Sequence, residues 1–230
     1  MDWTNVALFL VAGSQVGLGF LILLKNPKNK INIFYSAGLF GLSAWVISTA
    51  LFRLAPTEDL VRLILQFKLS FGLLVVLIFE IFTLFFPYQK SRVNLINQAM
   101  IIAPTVISLF IIIFLPQYTV NEILLRPGDN IASVNKIFWA LYSFSFTLSI
   151  VVAFWRLFVR LKEQSGFSRT QVSFIIISAL IPGIFSWFFN IIFLLFDYFI
   201  NDWLGALLTV ILSLVVSYFI FLGDKKLYIR

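Results

Sequence analysis

Long apolar runs, separated by short clusters of Lys, Arg, Asn and Pro, repeat seven times along this chain. A helix needs about 20 residues to cross the hydrocarbon core of a bilayer, and each run is about that long. The pattern predicts spans over about 4–24, 31–52, 60–86, 95–115, 136–159, 172–196 and 203–222. The first run differs from a secretory signal: Asp2 stands where a basic n-region would be, and a Lys-rich loop (25–30) follows instead of a small-residue cleavage site. It reads as a retained helix.

The sixth run organises the rest. A short polar loop, Ser168-Arg169-Thr170-Gln171, leads into it, Pro182-Gly183 sits near its middle, and Asn190 lies beyond. At 100° per residue, Ala179, Gly183, Ser186, Asn190 and Asp197 share one stripe. Neighbouring helices must satisfy the backbone group freed by Pro and the Asn amide, so this stripe should face protein and the helix should be central. Elsewhere, Gly13 and Gly17 form a G-x-x-x-G in the first span, which reads either as a packing face or as chance spacing. Gly38, Gly41, Ser43 and Ser48 supply small contacts in the second span, beside Trp45. Thr57, or an acid after it, suits the N-cap of the third span, and Pro104 lies inside the fourth. The one long loop, 116–135, has strand formers over Tyr118–Leu125, a type II turn pattern at Arg126-Pro127-Gly128-Asp129, and a returning Ile131–Val134. It predicts a small β-hairpin over the bundle.

Composition agrees with the pattern. The 230 residues are 61% hydrophobic and 12% charged, with a mean hydropathy of +1.01. Soluble domains run at about 45–50% apolar and about 25% charged, so the fold class is an all-α membrane protein, a seven-helix bundle (1–222) with a short basic stub (223–230). Cys and His are both absent. That removes disulfides, thiolate chemistry, imidazole metal sites, His bases and a phosphoacceptor His. No enzyme activity, metal or cofactor is expected.

The net charge of +7 does not point to nucleic acid, because the basic residues sit in loops between apolar spans. The side holding the 25–30, 87–94 and 160–171 loops, Arg156 and the stub has twelve Lys/Arg; the other side has four. Positive charge stays on the cytoplasmic side of membranes, so the N-terminus and hairpin should be outside and the C-terminus inside. The expected setting is the bacterial cytoplasmic membrane, crossed many times.

Lys68 and Glu80 are the charges well inside a span. A charge at the bilayer centre costs about 2.5–3.5 kcal/mol on insertion scales, so each needs a partner or a wet pocket. They do not suit each other, because their spacing gives roughly 18 Å of rise and about 120° of rotation. Glu80 is level with Arg156 on the fifth span, so an ion pair between them is expected. Lys68 has three readings: it pairs with Asp197 or Asp202, it snorkels outward, or it binds a ligand. Gly183, Ser186 and Asn190 have two: a small-ligand pocket open to the outer half, or hydrogen bonding between helices. Trp3, Tyr118, Trp139, Tyr198 and Trp203 fall at the outer ends, as an aromatic belt would place them. The seventh span holds no Lys for a retinal Schiff base. There is no P-loop, dinucleotide fingerprint or HExxH, and no repeated half of the kind seen in inverted-repeat transporters.

Asn32 and Phe34 open the second span, with Trp45 eleven residues on from Phe34. The third span closes on Phe85-Phe86-Pro87, a long outer loop follows the fourth, and Arg169-x-Gln171 precedes the sixth, which holds Pro182 and Asn190. In these features nearly the whole chain, about 1–228, resembles the N-terminal seven-transmembrane region of bacterial histidine kinases. The resemblance implies an input module that receives a membrane or extracellular cue and passes it through the last helix to a cytoplasmic output. Two departures qualify it. The chain ends eight residues after the seventh span and has no His, so kinase activity is not expected, and Glu80 is unusual for such a region. The implied function is a sensor-like receptor module that relays through helix six or seven and Gly223–Arg230. Its expected partners are the lipid bilayer, a cytoplasmic or membrane signalling protein and a small ligand. The alternatives are a structural or assembly subunit of a membrane complex, docking through small-residue faces, and a small transporter or lipid-handling protein using Lys68.

Overall fold

A computed structural model describes residues 2–87, 95–126, 130–192 and 202–227. Seven helices in it are long and apolar enough to cross a membrane. They are α1 (Trp3–Lys25), α2 (Lys30–Leu54), α3 (Glu58–Phe85), α4 (Leu95–Phe114), α5 (Lys136–Glu163), α6 (Gly166–Trp187) and α7 (Asp202–Leu227). The chain is a multi-pass helical bundle of the kind that sits in a lipid bilayer.

Local chemistry sets the helix starts. Asp2 caps α1 by accepting from the Thr4 amide, Asn29 caps α2 through the Ile31 amide, and Asn135 caps α5 through the Ile137 and Phe138 amides. Each satisfies a donor that the first turn leaves without a backbone partner. Thr57 takes the N-cap position of α3 without a side-chain bond, and Glu58 and Asp59 follow in the first turn, where the helix dipole favours acids.

Helix pairing gives a simple plan. α2, α3, α5, α6 and α7 close a ring, each packing on the next and α7 returning to α2. α1 lies outside in the groove between α2 and α7, and α4 outside in the groove between α3 and α5. One apolar core joins α1, α2, α6 and α7 through Leu8, Leu39, Val46, Ile175 and Val216; another lies under the hairpin, around Phe52, Val61, Leu73, Ala132 and Trp139.

The hairpin consists of β1 (Val120–Leu124) and β2 (Ile131–Val134), paired antiparallel with a bulge between Val120 and Glu122. Val120, Ala132 and Val134 point into the bundle. Asn130 is buried and donates to the carbonyls of Phe52 and Ala55 at 2.8 and 2.9 Å, which pins the hairpin to the end of α2. Its Oδ1 accepts from the Arg126 amide, but the turn pattern at Pro127-Gly128-Asp129 lies outside the described residues.

Three helix boundaries differ from the sequence reading by four residues or more. α5 runs on to Glu163 and α6 already begins at Gly166, so the polar loop 160–171 shrinks to Gln164 and Ser165. Arg160, Lys162 and Arg169 are good helix formers, and charge does not end a helix that has left the apolar layer. α7 likewise runs through Gly223 to Leu227, so most of the expected stub is helical; 228–230 lie outside the described residues. α6 passes through Pro182 unbroken, and the irregularity comes later, as a π turn over Phe188–Ile192. The remainder of the expected sixth span (193–196), with Asp197, Tyr198 and Asn201, lies outside the described residues, as do Lys90 and Arg92.

Candidate functional site

The five-helix ring lines a half-open apolar cavity of about 110 Å³. α2 contributes Tyr35, Leu39 and Trp45, α3 Val75, Phe79 and Phe82, and α5 Phe146 and Phe154. The far wall is Ala179, Pro182, Gly183 and Ser186 of α6, with Thr209 and Leu212 of α7. A Cβ added at Gly183 would meet nothing within 4 Å, so this glycine opens onto space. The small stripe on α6 therefore does face protein, but the chamber beside it runs away from the hairpin, toward Phe34 and Phe82, and is greasy. It lies away from the hairpin side, where the small-ligand reading of Gly183, Ser186 and Asn190 placed a pocket; Ser186 also lines the smaller cavity nearer the hairpin. Asn190 has its backbone in the π turn, and its side chain is outside the described residues.

A second, smaller cavity of about 30 Å³ lies nearer the hairpin. It is lined by Leu65, Lys68, Trp139, Tyr142 and Ile191, and shares Trp45, Gly72, Phe146 and Ser186 with the larger one. Lys68 is only 6% exposed, so it does not snorkel to the surface. Its ammonium lies 4.9 Å from the centre of the Phe52 ring, a cation–π contact. Asp197 and the Asp202 side chain lie outside the described residues. The partition between the cavities is built on Gly72: a Cβ there would sit 2.7 Å from the Tyr142 hydroxyl and 3.6 Å from the Trp45 indole nitrogen. Tyr142 donates to the Leu69 carbonyl and stacks on Trp139 at 4.7 Å. Trp139 is 1% exposed and donates to the Ile191 carbonyl, so it is core and not part of an aromatic belt. Trp3 and Tyr118 are exposed, and Trp203 is half-buried.

Toward the opposite end, Glu80, Gln98 and Arg156 meet. Arg156 donates to the Glu80 carboxylate at 3.3 Å and to its backbone carbonyl at 3.2 Å. Gln98 donates to the same carboxylate oxygen at 2.8 Å and accepts from Arg156 at 2.7 Å. The triad ties α3, α4 and α5 together. Glu80 is fully buried, and its second oxygen has no hydrogen-bond partner among the described residues. One turn on, Arg160 donates to the Phe86 and Leu84 carbonyls at the end of α3. Sequence reasoning missed Gln98; its place near the start of an apolar run, level with Glu80, was the available signal.

It also missed a polar seam along α7. Thr209, Ser213 and Ser217 recur every four residues and face α1 and α2. Gln15 donates to Thr209 at 2.7 Å, and Tyr35 donates to the Ser213 carbonyl at 2.7 Å. The family-motif positions do not converge on one site. Asn32 donates to the Ile22 carbonyl, Phe34 stacks on Phe85, Gln171 donates to the Phe219 carbonyl, Arg169 is exposed, and Pro87 closes the end of α3. Among the described residues of that set, Phe34, Trp45 and Pro182 line the large cavity. Comparison with known protein families, with curated proteins and with solved structures gives no match for this chain.

Proposed function

We propose that this protein is a membrane-embedded, sensor-like input module that takes an apolar molecule into the five-helix ring and reports its presence through α6 and α7. The observation that carries this is the central cavity, whose far wall is the Ala179–Ser186 face of α6. Pro182 removes one backbone hydrogen bond from α6, and the π turn at Phe188–Ile192 widens it further on. An occupant that packs better against one setting of α6 shifts the bundle toward that setting. The resemblance to the seven-helix region of bacterial histidine kinases supports the same role, with a signalling partner beyond α7. In this reading the hairpin faces outward from a bacterial cytoplasmic membrane and the basic end faces the cytoplasm.

The test uses protein in nanodiscs and 8-bromo-1-octanol, whose bromine quenches nearby tryptophan. Trp45 lines the cavity, so wild type should show saturable quenching above the non-saturable effect of probe dissolved in lipid. Gly183→Leu places a side chain in open space and should abolish the saturable part without lowering thermal stability. The same probe should change the distance between nitroxide labels at the exposed positions Lys162 and Tyr218, on α5 and α7. Quenching that never saturates, or that Gly183→Leu leaves untouched, would overturn the assignment.

A second reading, a structural subunit of a membrane complex, has one observation in its favour. Gly13 and Gly17 face outward from α1, and an added Cβ at either would meet nothing within 4 Å. They do not pack inside this bundle.

A further inference from the structure

We infer that the occupant of the ring is an apolar molecule bearing one neutral carbonyl (a ketone, ester or amide), whose oxygen accepts from the Trp45 indole N–H where the two cavities meet. This rests on the cavity reading above and names the chemical class of the occupant. Among the described residues, the polar side chains on the wall of the larger cavity are Tyr35, Trp45, Ser186 and Thr209. Two of them are satisfied inside the protein. Tyr35 donates to the Ser213 carbonyl, and Thr209 donates to the Ala206 carbonyl while accepting from Gln15. Trp45 and Ser186 are each only 8% exposed, yet among the described residues neither the indole N–H nor the Ser186 hydroxyl has a hydrogen-bond partner. Ser145, Ser213 and Ser217 return their hydroxyls to the carbonyl four residues back, and Ser186 does not. A buried indole N–H usually finds an acceptor, and leaving it without one is costly.

The two unpaired groups border the same ground. Trp45, Ser186 and Gly72 line the smaller cavity as well as the larger. The indole nitrogen lies over Gly72, 3.6 Å from where a Cβ would be, and the Tyr142 hydroxyl is 2.7 Å from that same point. Tyr142 donates to the Leu69 carbonyl at 3.3 Å, longer than an ordinary O–H···O bond. Away from this partition the larger chamber is walled by side chains such as Leu39, Val75, Phe79, Phe82 and Phe154. The site is therefore apolar along its length, with hydrogen-bond donors at one end.

That arrangement selects both halves of the ligand. An indole N–H can only donate, so the ligand must supply an acceptor. A carbonyl oxygen offers two lone pairs and brings no charge into hydrocarbon, where charge is poorly solvated. An alkane of the same length would leave the N–H unpaired in the complex. The rest of the molecule lies in the larger chamber. Apolar cavities stay dry and accept apolar molecules; one of ~150 Å³ in another protein holds benzene. At about 110 Å³ this chamber suits part of an alkyl chain, and because it is half-open a longer chain need not end inside it.

The experiment compares 8-bromo-2-octanone with 1-bromooctane, which share a chain and a bromine and differ in the carbonyl. With Kd expressed as mole fraction in the nanodisc lipid, the ketone's saturable quenching should show a Kd lower by about fivefold, the effect of one net hydrogen bond. In ¹H–¹⁵N spectra of the same nanodiscs the ketone should move one tryptophan indole proton downfield, and 1-bromooctane should leave it in place. Trp45→Phe should lack that resonance. Should Trp45→Phe fail to fold, 3-benzothienylalanine at position 45 replaces it, keeping the ring shape without the N–H. Equal affinity for the two probes, no indole proton that moves with the ketone, or a moving proton that belongs to another tryptophan would overturn the carbonyl assignment and leave the cavity reading standing. Absence of saturable quenching by either probe would overturn both.

Discussion

Glu80 and Arg156 form an ion pair in a setting where a lone charge is expensive. The carboxylate is fully buried, and the guanidinium is partly so. Removing one partner of such a pair leaves the other uncompensated, at a cost of about 3 kcal/mol; removing both returns much of that. Glu80→Gln and Arg156→Gln should each lower stability by about that amount, while the double variant loses clearly less than the sum. Unfolding in mixed detergent micelles measures all three, and strict additivity would show that the contact contributes nothing. At the other end, Asp2 accepts from the Thr4 amide and from Arg53, 3.2 Å away. The Thr4 bond, followed by Arg53, holds the Asp2 carboxyl below its ordinary value of 3.8. A depressed carboxyl stabilises the folded form above its unfolded pKa, and that contribution fades as pH falls through the folded value. Fraying at the start of α1 should therefore increase below pH 3.8 in wild type and be insensitive to pH in Asp2→Asn, which Thr4 amide exchange would report.

Among the elements, the hairpin depends on one side chain. Asn130 donates two bonds to carbonyls left open at the end of α2, so Asn130→Ala strips partners from Phe52 and Ala55 together. A loss of about 1–3 kcal/mol is expected, with faster proteolytic cutting in 116–135 and little change in the helices. Unchanged cutting would mean that Val120, Ala132 and Val134 hold the hairpin by packing alone. α6 shows the opposite economy. Pro182 costs it a backbone bond, yet the helix runs unbroken to Trp187; α5 and α7 flank it, and Trp187 donates to Thr147 on α5 at 3.1 Å. The irregular turn falls at Phe188–Ile192, where no proline or glycine marks it.

For the whole molecule, orientation is the first matter to test, and a chain without Cys makes it easy. Single cysteines at the exposed positions Glu122, on the hairpin, and Lys162, at the basic end, should label differently with a membrane-impermeant maleimide on intact cells. Glu122→Cys should react and Lys162→Cys should not; the reverse pattern would invert the topology. The sequence by itself determined the number and rough limits of the helices, the hairpin and the Glu80–Arg156 level, because each rests on local composition or on length along a helix axis. Bilayer thickness turns apolar length into a span, and runs of strand formers on either side of a turn pattern declare a hairpin. Helix ends were less legible, since nothing in Arg160–Glu163, Phe167–Gln171 or Gly223–Leu227 forbids helix and propensity carried it on. The candidate site was half legible. Gly183, Ser186 and Lys68 stood out as small or charged residues in greasy surroundings, but Trp45, Gly72, Tyr142 and Phe146 look like any other membrane-helix residues until the ring brings them together. Only the tertiary structure decided which helices close the ring, that Gly13 and Gly17 face outward while Trp139 faces in, and that Gln98 joins the buried ion pair. These depend on how each helix is rotated about its own axis. On a helix that is apolar on nearly every side the hydrophobic pattern does not specify that angle, so packing against neighbours sets it.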